Sequence, residues 1–548
     1  MHFYNSLLSF DIANDFKLCL SPLNTWTNCS LQFVQVFRGL RHLDKHYMKL
    51  KYILFCLIAF INAISAQVVI NQSKCFGGSG LDYAEHYCLT SSGGYLVCGC
   101  TTSMDGDVSA SISGGVDIWI LKLNSALNIQ SSYLYGGSVE DCALGIIEFS
   151  PNIFIVAGIT NSPDWPANGS SGYGDDDLFV MAIDSVGNEL WSRRLGGSNY
   201  DRYPEMIKTR DGKILISGMT NSANNEAASS HGRQDGLLVK VDTNGTVIWS
   251  KCIGTIGNEY FNNIYEANNG DLLLAGLIGS ELWAVRCDSI GNVLWQGSYG
   301  GSNMEEAYSI TELGSGRIVL SGRISSIDGY GTGNHGSYDI LLVCLDSMGG
   351  VQWSRCYGGS NGDTYSFSIF HLQDDEVLIG ANTLSFDGDV SGNHGYIDAW
   401  FLHVDSVGNI LNSYCLGGAS EDLVFAMGLD QHGDNLMVGT TFSNNGMVSG
   451  NHGQSDYWVV SYTTLQSKID ELGGRSFTLY PNPGNDHVVI NFSDKTPQDL
   501  YVKDLTGRVI KHFSIIVNPM NCRLEDMGPG IYFIGSPEVG YQRYVKVE

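Results

Sequence analysis

Seven acidic residues recur at one position of a repeated pattern: Asp117, Asp177, Asp235, Glu281, Asp339, Asp398 and Asp456. A carboxylate so placed can serve as a general base, ligate a metal, or cap the backbone N–H groups of the loop before it. Four residues earlier stands a histidine in four of the seven, His231, His335, His394 and His452, each opening a His-Gly-x-x-Asp stretch. Four imidazoles invite a zinc reading, but copies in separate repeats cannot converge on one ion at zinc bond lengths. Calcium is the better metal option. Asp387, Asp389, Asn393 and Asp398 bring hard oxygens into one Gly-rich turn, although not at EF-hand spacing. A feature copied into every repeat reads first as scaffold, because catalysis needs one carboxylate whose surroundings differ from the rest. The seven acids are therefore expected to cap loops, and the Asp387 loop to be a structured turn before it is a calcium site. No catalytic or cofactor-binding residue is singled out.

What must position these columns is a Gly-Gly-Ser cadence. Gly77-Gly78-Ser79, Gly136-Gly137-Ser138, Gly196-Gly197-Ser198, Gly300-Gly301-Ser302 and Gly358-Gly359-Ser360 are clear copies; Gly254-Thr255 and Gly417-Gly418-Ala419 are degraded ones. The intervals are 59, 60, 58, 46, 58 and 59 residues, which makes seven repeats. A fixed period of this size means an array of supersecondary units sharing one core. Each repeat shows four short β-branched and aromatic runs punctuated by Gly, Asn and Asp, without a sustained helical period. The fold class is all-β: a seven-bladed β-propeller followed by a small Ig-like β-sandwich. The last repeat stops after its third strand pattern near Tyr462, and Val69–Gly77 matches the missing fourth. The first mature strand is thus expected to complete the last blade and remove an open edge. Repeat four is short because Leu277-Ile278-Gly279-Ser280 runs almost directly into Glu281-Leu282-Trp283, without the loop that the other repeats carry between strands two and three. Antiparallel order puts those loops and the Gly-Gly-Ser turns on one face, with a notch at blade four where a ligand is expected.

The chain of 548 residues has a formal net charge of −27. Beyond residue 66 it holds 24 basic and 54 acidic residues, so it lacks the basic footprint of a nucleic-acid binder and is ill suited to anionic lipid. Eleven cysteines fall in that region, an odd number that excludes complete internal pairing. Cys75, Cys252, Cys356 and Cys415 share one column and are expected to be buried thiols, too far apart to bridge. Cys88 with Cys98 or Cys100 is the local pair close enough in a hairpin to suspect.

Met48-Lys49-Leu50-Lys51, an apolar run from Tyr52 to Ile64, and Ala66 before Gln67 have the build of a cleaved secretory signal. Residues 1–47 then read as a misplaced start or a leader, 48–66 as signal peptide, 67–465 as propeller, 466–475 as linker and 476–548 as a C-terminal domain. No later apolar run is long enough for a transmembrane helix, so none is expected in the mature chain. Trp191, Trp249, Trp295 and Trp353 share a fourth-strand column that resembles the tryptophan motif of quinone-dependent dehydrogenase propellers. The other repeats have Gln72, Ser131 and Asn412 there, which favours packing between blades. Asp184-Ser185-Val186, Asp288-Ser289-Ile290, Asp346-Ser347-Met348 and Asp405-Ser406-Val407 are similar to an O-glycosylation acceptor of exported proteins in some gliding and gut bacteria. They are also ordinary turn chemistry.

The C-terminal segment resembles the type A sorting domain of the type IX secretion system. The residues that carry the likeness are Tyr480-Pro481-Asn482-Pro483, the Asp504–Arg508 turn, Gly530-Ile531-Tyr532 and Lys546 in a terminal Val-Lys-Val. The resemblance implies the type IX machinery as partner and a secreted or outer-membrane-surface location. The expected work is binding, adhesin-like, toward an extracellular glycan or protein. The alternatives are an extracellular hydrolase or lyase acting on polysaccharide and a purely structural surface protein. No cofactor is expected, calcium being the one metal considered.

Overall fold

A computed structural model describes residues 67–108, 114–165, 174, 176–430, 432–465, 477–480, 487–492, 499–503, 509–514, 520–525, 527, 530–536 and 540–546. The leader, the signal segment with Ala66, the linker, Pro481-Asn482-Pro483 and the Asp504–Arg508 turn lie outside the described residues.

Seven four-stranded antiparallel sheets follow one another along 82–135, 141–195, 201–253, 259–299, 305–357, 363–416 and 422–465. The first blade is typical, with strands Asp82–Leu89, Tyr95–Thr101, Asp117–Leu123 and Ile129–Tyr135. The seventh has three strands of its own and takes its fourth from Gln67–Phe76, which pairs with Asp456–Leu465 from Gln67 opposite Leu465 to Phe76 opposite Tyr457. This is the closure expected from the sequence.

The ring is stitched by one bond repeated seven times. The backbone N–H of the residue opening each first strand donates to the carbonyl just before the third strand of the preceding blade. Asp82 donates to Ser455 at 3.1 Å, Asp141 to Val116 at 2.9 Å, Asp201 to Asp176 at 2.6 Å and Glu259 to Gln234 at 3.0 Å. Glu305 to Ser280, Asp363 to Tyr338 and Asp422 to Ile397 complete the circle at 2.7–2.8 Å. Seven sheets linked head to tail in this way form a seven-bladed β-propeller.

Packing follows from the sequence of each strand. Second and third strands are near-continuous apolar runs and are buried along their length, as in Ile214–Thr220 and Asp235–Val241. Fourth strands alternate with solvent, as in Val293–Tyr299. Two residues after each third-strand acid a large side chain fills the space between blades, and Trp119, Trp283, Trp400 and Trp458 are fully buried there. Each indole N–H is satisfied from the outer strand, by Ser132, Gln296, Ser413 and Ser73 respectively.

The Cys88 pairing expected from the hairpin is corrected. Cys88 and Cys98 are free, and Cys100 bonds Cys142, the two Cα atoms being 4.9 Å apart. Cys88 lies opposite Leu96, Cys98 opposite His86 and Cys100 opposite Tyr83, so no two of them face each other across the hairpin. Cys100 instead meets the first strand of blade two. Cys75, Cys252 and Cys415 are buried free thiols, and Cys356 is a half-buried one.

The C-terminal segment forms two sheets over one core. Phe477–Tyr480, His487–Phe492 and Met520–Arg523 make the first; Val509–Phe513, Leu500–Lys503, Gly530–Ser536 and Gly540–Lys546, in that order, make the second. Val488, Ile490, Leu500, Val502, Cys522 and Ile534 are buried between them. The strand Met520–Arg523 was not expected from the sequence. No helix among the described residues is long and apolar enough to cross a membrane.

Candidate functional site

The seven acids of the third strands have a second set facing them that sequence reasoning missed. Asp82, Asp141, Asp201, Glu259, Glu305, Asp363 and Asp422 open the first strands, each five residues after the first glycine of its Gly-Gly or Gly-Thr. Their carboxylates accept the N–H of the residue after that glycine, Gly78, Gly137, Gly197, Thr255, Gly301, Gly359 and Gly418, at 2.6–3.1 Å. The first glycine is wedged between the two acids. A Cβ on Gly77 would lie 2.5 Å from Asp456 Oδ1 and 2.5 Å from Asp82 Oδ2; on Gly358 it would lie 2.6 Å from Asp339 Oδ1 and 2.6 Å from Asp363 Oδ2. Only glycine fits. Burial, with the facing carboxylate adding to it, pushes Asp363, Asp398 and Asp456 up to about 6 and Asp177, opposite Asp201, up to about 8.

The long loops grip the same turns. Asp105, Asp164, Asn224, Asp328, Asp387 and Asn445 each accept the N–H of the third turn residue, Ser79, Ser138, Ser198, Ser302, Ser360 or Ala419, at 2.7–2.9 Å. Loops and turns therefore share one face. Blade four has no such loop, so its second turn residue escapes the loop atoms that a Cβ on Gly78, Gly137, Gly197, Gly301, Gly359 or Gly418 would meet at 2.4–2.6 Å; it is Thr255, whose hydroxyl bonds Glu259.

The histidines close their own loops. His335, His394 and His452 each give a backbone N–H to the buried acid four residues on and set ring Nδ1 2.6–2.8 Å from the same oxygen. In blade three Ser230 takes that place, and the His231 ring stands 3.6 Å from Asp235. Asp235, Asp339, Asp398 and Asp456 thus cap the preceding loop. The oxygens considered for calcium have separate partners. Asp387 accepts from Ser360, Asp389 from Gly358, Asn393 from Gly395, and Asp398 from His394. No group of three or more His, Cys, Asp or Glu among the described residues is arranged to hold a metal. The fourth-strand tryptophans pack between blades, with Trp191, Trp295 and Trp353 donating to carbonyls of Thr243, Ser347 and Ser406 in the next blade's turn.

Where the loop of blade four is missing, a cleft of about 440 Å³ opens on the loop face. Tyr200, Arg202 and Tyr203 of blade three, Tyr260 and Gly279 of blade four and Met304 of blade five are among its lining residues. The notch was legible in the sequence; the tyrosines were not. Tyr203 and Tyr260 rings lie 5.5 Å apart at 38°, and the Arg202 guanidinium sits 5.6 Å from the Tyr200 ring centre. Tyr203 has φ +57°, at a bulge between Arg202 and Glu205 that contains Pro204. A bulky residue held in the left-handed region costs about 1–3 kcal/mol and marks a place where function is worth seeking. Behind the cleft, Glu306 accepts from Tyr260 at 2.7 Å, Asn262 at 3.0 Å and Tyr308 at 2.9 Å and pairs with Arg323 at 3.0 Å.

At the other end, Gly530-Ile531-Tyr532 pairs with the terminal strand, Gly530 opposite Lys546 and Tyr532 opposite Tyr544. The buried Lys546 ammonium donates to the Leu524 carbonyl at 2.6 Å. Both parts of the C-terminal motif are therefore one hairpin. Residues 478–545 match the secretion system C-terminal sorting domain family. The chain carries a type IX sorting domain. A protein with this sorting domain is secreted or attached to the cell surface, and the secretion machinery is its partner. Among proteins of curated function, none matches the chain in sequence. Solved structures similar to it include Kuenenia stuttgartiensis hydrazine synthase, at 9% identity over 70% of this chain and 95% of that one, with a TM-score of 0.42. The Neurospora crassa Pan2 WD40 domain is similar at 11% identity over 70% and 89%, with a TM-score of 0.39. A Bacteroides caccae protein of unknown function is similar at 14% identity over 54% and 90%, with a TM-score of 0.32.

Proposed function

We propose that the sorting domain delivers a surface-binding propeller, which presents its loop face to extracellular material in an adhesin-like role. Residues 48–66 serve as the cleaved signal, with Ala66 before the cut and Gln67 after it. The propeller spans 67–465, the linker 466–475 and the sorting domain 476–548. The cleft beside blade four carries the reading: it is the place where the ring departs from its repeat, and it is lined by half-exposed aromatic side chains. Binding is favoured over turnover because the acids and histidines of this face serve as caps in blade after blade. The carboxylates beside the cleft are engaged as well, Glu306 by four neighbours and Asp176 by Arg202.

The full exported protein should be retained on at least one of a set of insoluble neutral and acidic polysaccharides and extracellular-matrix proteins, with no soluble product released. Product release, or retention on none of them, would overturn the reading.

A further inference from the structure

The geometry points to a neutral oligosaccharide as the occupant of the cleft between blades three, four and five, held on Tyr203 and Tyr260. This rests on the surface-binding reading and narrows it to one site and one ligand class. Sugars offer two chemistries at once, a flat C–H face and a rim of hydroxyls, and the cleft is complementary to both. Tyr200 and Tyr203 are 37% and 47% exposed and give broad aromatic surfaces, with Met304 beside them at 45%. Tyrosine suits this work because an apolar ring carries a polar tip at small conformational cost. Around the rings stand groups that can exchange hydrogen bonds with hydroxyls. The side-chain amides of Gln234 and Asn258 and the hydroxyls of Tyr200 and Tyr203 have no hydrogen-bond partner among the described residues, and all four residues line the cleft.

Charge selects against acidic ligands. Arg202 is the cation at the cleft, and its guanidinium is engaged by Asp176 through Nε at 2.7 Å and through Nη2. The chain as a whole carries −27, which disfavours uronates, phosphates and sulfated sugars. The floor is Gly279, at φ +63°, where the chain turns from one strand into the next without the loop that covers this position elsewhere. The strained backbone at Tyr203 is the second mark of a site. It places a half-exposed ring on the cleft wall against Tyr260.

Saturation-transfer NMR and calorimetry on the full exported protein, with gluco-, manno-, galacto- and xylo-oligosaccharides, galacturonate oligomers and tyrosine-rich peptides as probes, test this. Wild type should bind at least one neutral series. Tyr203→Gly should lose at least tenfold in affinity while its melting temperature holds or rises, because glycine relieves the left-handed strain. Asn258→Ala should weaken binding several-fold without a change in melting. Neutral-sugar binding that survives Tyr203→Gly overturns the site and leaves the surface-binding function standing. Binding confined to galacturonate or peptide overturns the ligand class. Binding of no probe overturns this inference, and the retention assay on insoluble materials then decides the broader function separately.

Discussion

Asp456 of the seventh blade and Asp82 of the first stand on either side of Gly77, so close that a Cβ there would lie 2.5 Å from an oxygen of each. The same sandwich recurs at Gly358 between Asp339 and Asp363 and at Gly417 between Asp398 and Asp422. One acid caps the loop of its own blade, the other caps the turn that leads into the next. At six of the seven boundaries both carboxyls are buried, Glu281 being the half-buried exception, and together they hold the loop face. The oxygens that face the glycine from Asp339, Asp398 and Asp456 have no hydrogen-bond partner. Protonating one carboxyl of a pair relieves the like-charge repulsion between the two.

The pH dependence of stability is set by this arrangement. Asp363, Asp398 and Asp456 are raised to about 6 and Asp177 to about 8, against about 4 in an unfolded chain. A raised folded value means that the native state binds more protons, so the stabilisation is complete below the unfolded value and is lost as pH rises through the folded one. His452, also raised because the Asp456 contact outweighs its burial, acts in the same direction. Capping acids such as Asp242 and Asp405, held low by the backbone N–H groups they accept, lose their contribution below about pH 4. Melting should therefore be highest near about pH 5 and fall steadily toward pH 8. Asp398→Asn should flatten that slope, and a melting temperature that rises from pH 5 to pH 8 would refute the carboxyl pairs.

Gly77→Ala should destabilise strongly. The added methyl meets two carboxylates that are themselves fixed by other bonds, so overpacking of about 1–3 kcal/mol is expected. Gly115→Ala, where nothing lies within 4 Å of the new atom, is the control and should stay within about 0.5 kcal/mol. Chemical denaturation of both variants at one pH checks the contrast.

Most of the ring was legible because five of its six intervals are 58–60 residues and six of its seven turns keep Gly-Gly. The closure by Gln67–Phe76 could be read because the Cys75-Phe76-Gly77 ending matches Cys252-Ile253-Gly254, Cys356-Tyr357-Gly358 and Cys415-Leu416-Gly417 in other fourth strands. The first-strand acids were hidden although their spacing from the glycine is constant. Their neighbours on the C-terminal side vary, from Tyr83-Ala84-Glu85 in one blade to Arg202-Tyr203-Pro204 in another, and so the column does not stand out. Tyr203 at φ +57° runs against the Gly and Asn pattern from which left-handed residues are inferred. The Met520–Arg523 strand has only four residues, too few for its alternation to register. The disulfide joins a second strand to a first strand of the next blade, positions that comparison between equivalent columns never pairs.

That bond, Cys100–Cys142, is expected to matter for stability because it spans a blade boundary with a sequence separation of 42. Constraining the unfolded chain over such a loop contributes about 2–4 kcal/mol. Cys142→Ala should lower the melting temperature, and reducing agent should do the same to wild type while leaving Cys142→Ala unmoved. A wild-type protein indifferent to reductant would argue against the bridge.

The N-terminal strand should be needed for a monomeric ring. Deleting residues 67–76 removes the partner of Asp456–Leu465 and the Ser73 hydroxyl that accepts the Trp458 indole at 3.0 Å. The bared edge can then pair with another chain. Gel filtration of the truncated protein should show oligomers or aggregate, and a well-behaved monomer would count against closure by this strand.

Export is expected to depend on Lys546 through the fold of the sorting domain. Its ammonium is buried, 6% exposed, and bonds the Leu524 carbonyl across the core rather than facing solvent. A charge so placed tethers the terminal strand to the segment after Met520–Arg523, and truncating it leaves a buried carbonyl short of a donor. Deleting residues 476–548 should hold the chain in the periplasm. Lys546→Ala should reduce export in proportion to increased protease sensitivity of the sorting domain in the full chain. A Lys546→Ala protein whose sorting domain resists protease as wild type does, yet stays in the periplasm, would show that the machinery reads the lysine directly and would defeat the tethering role.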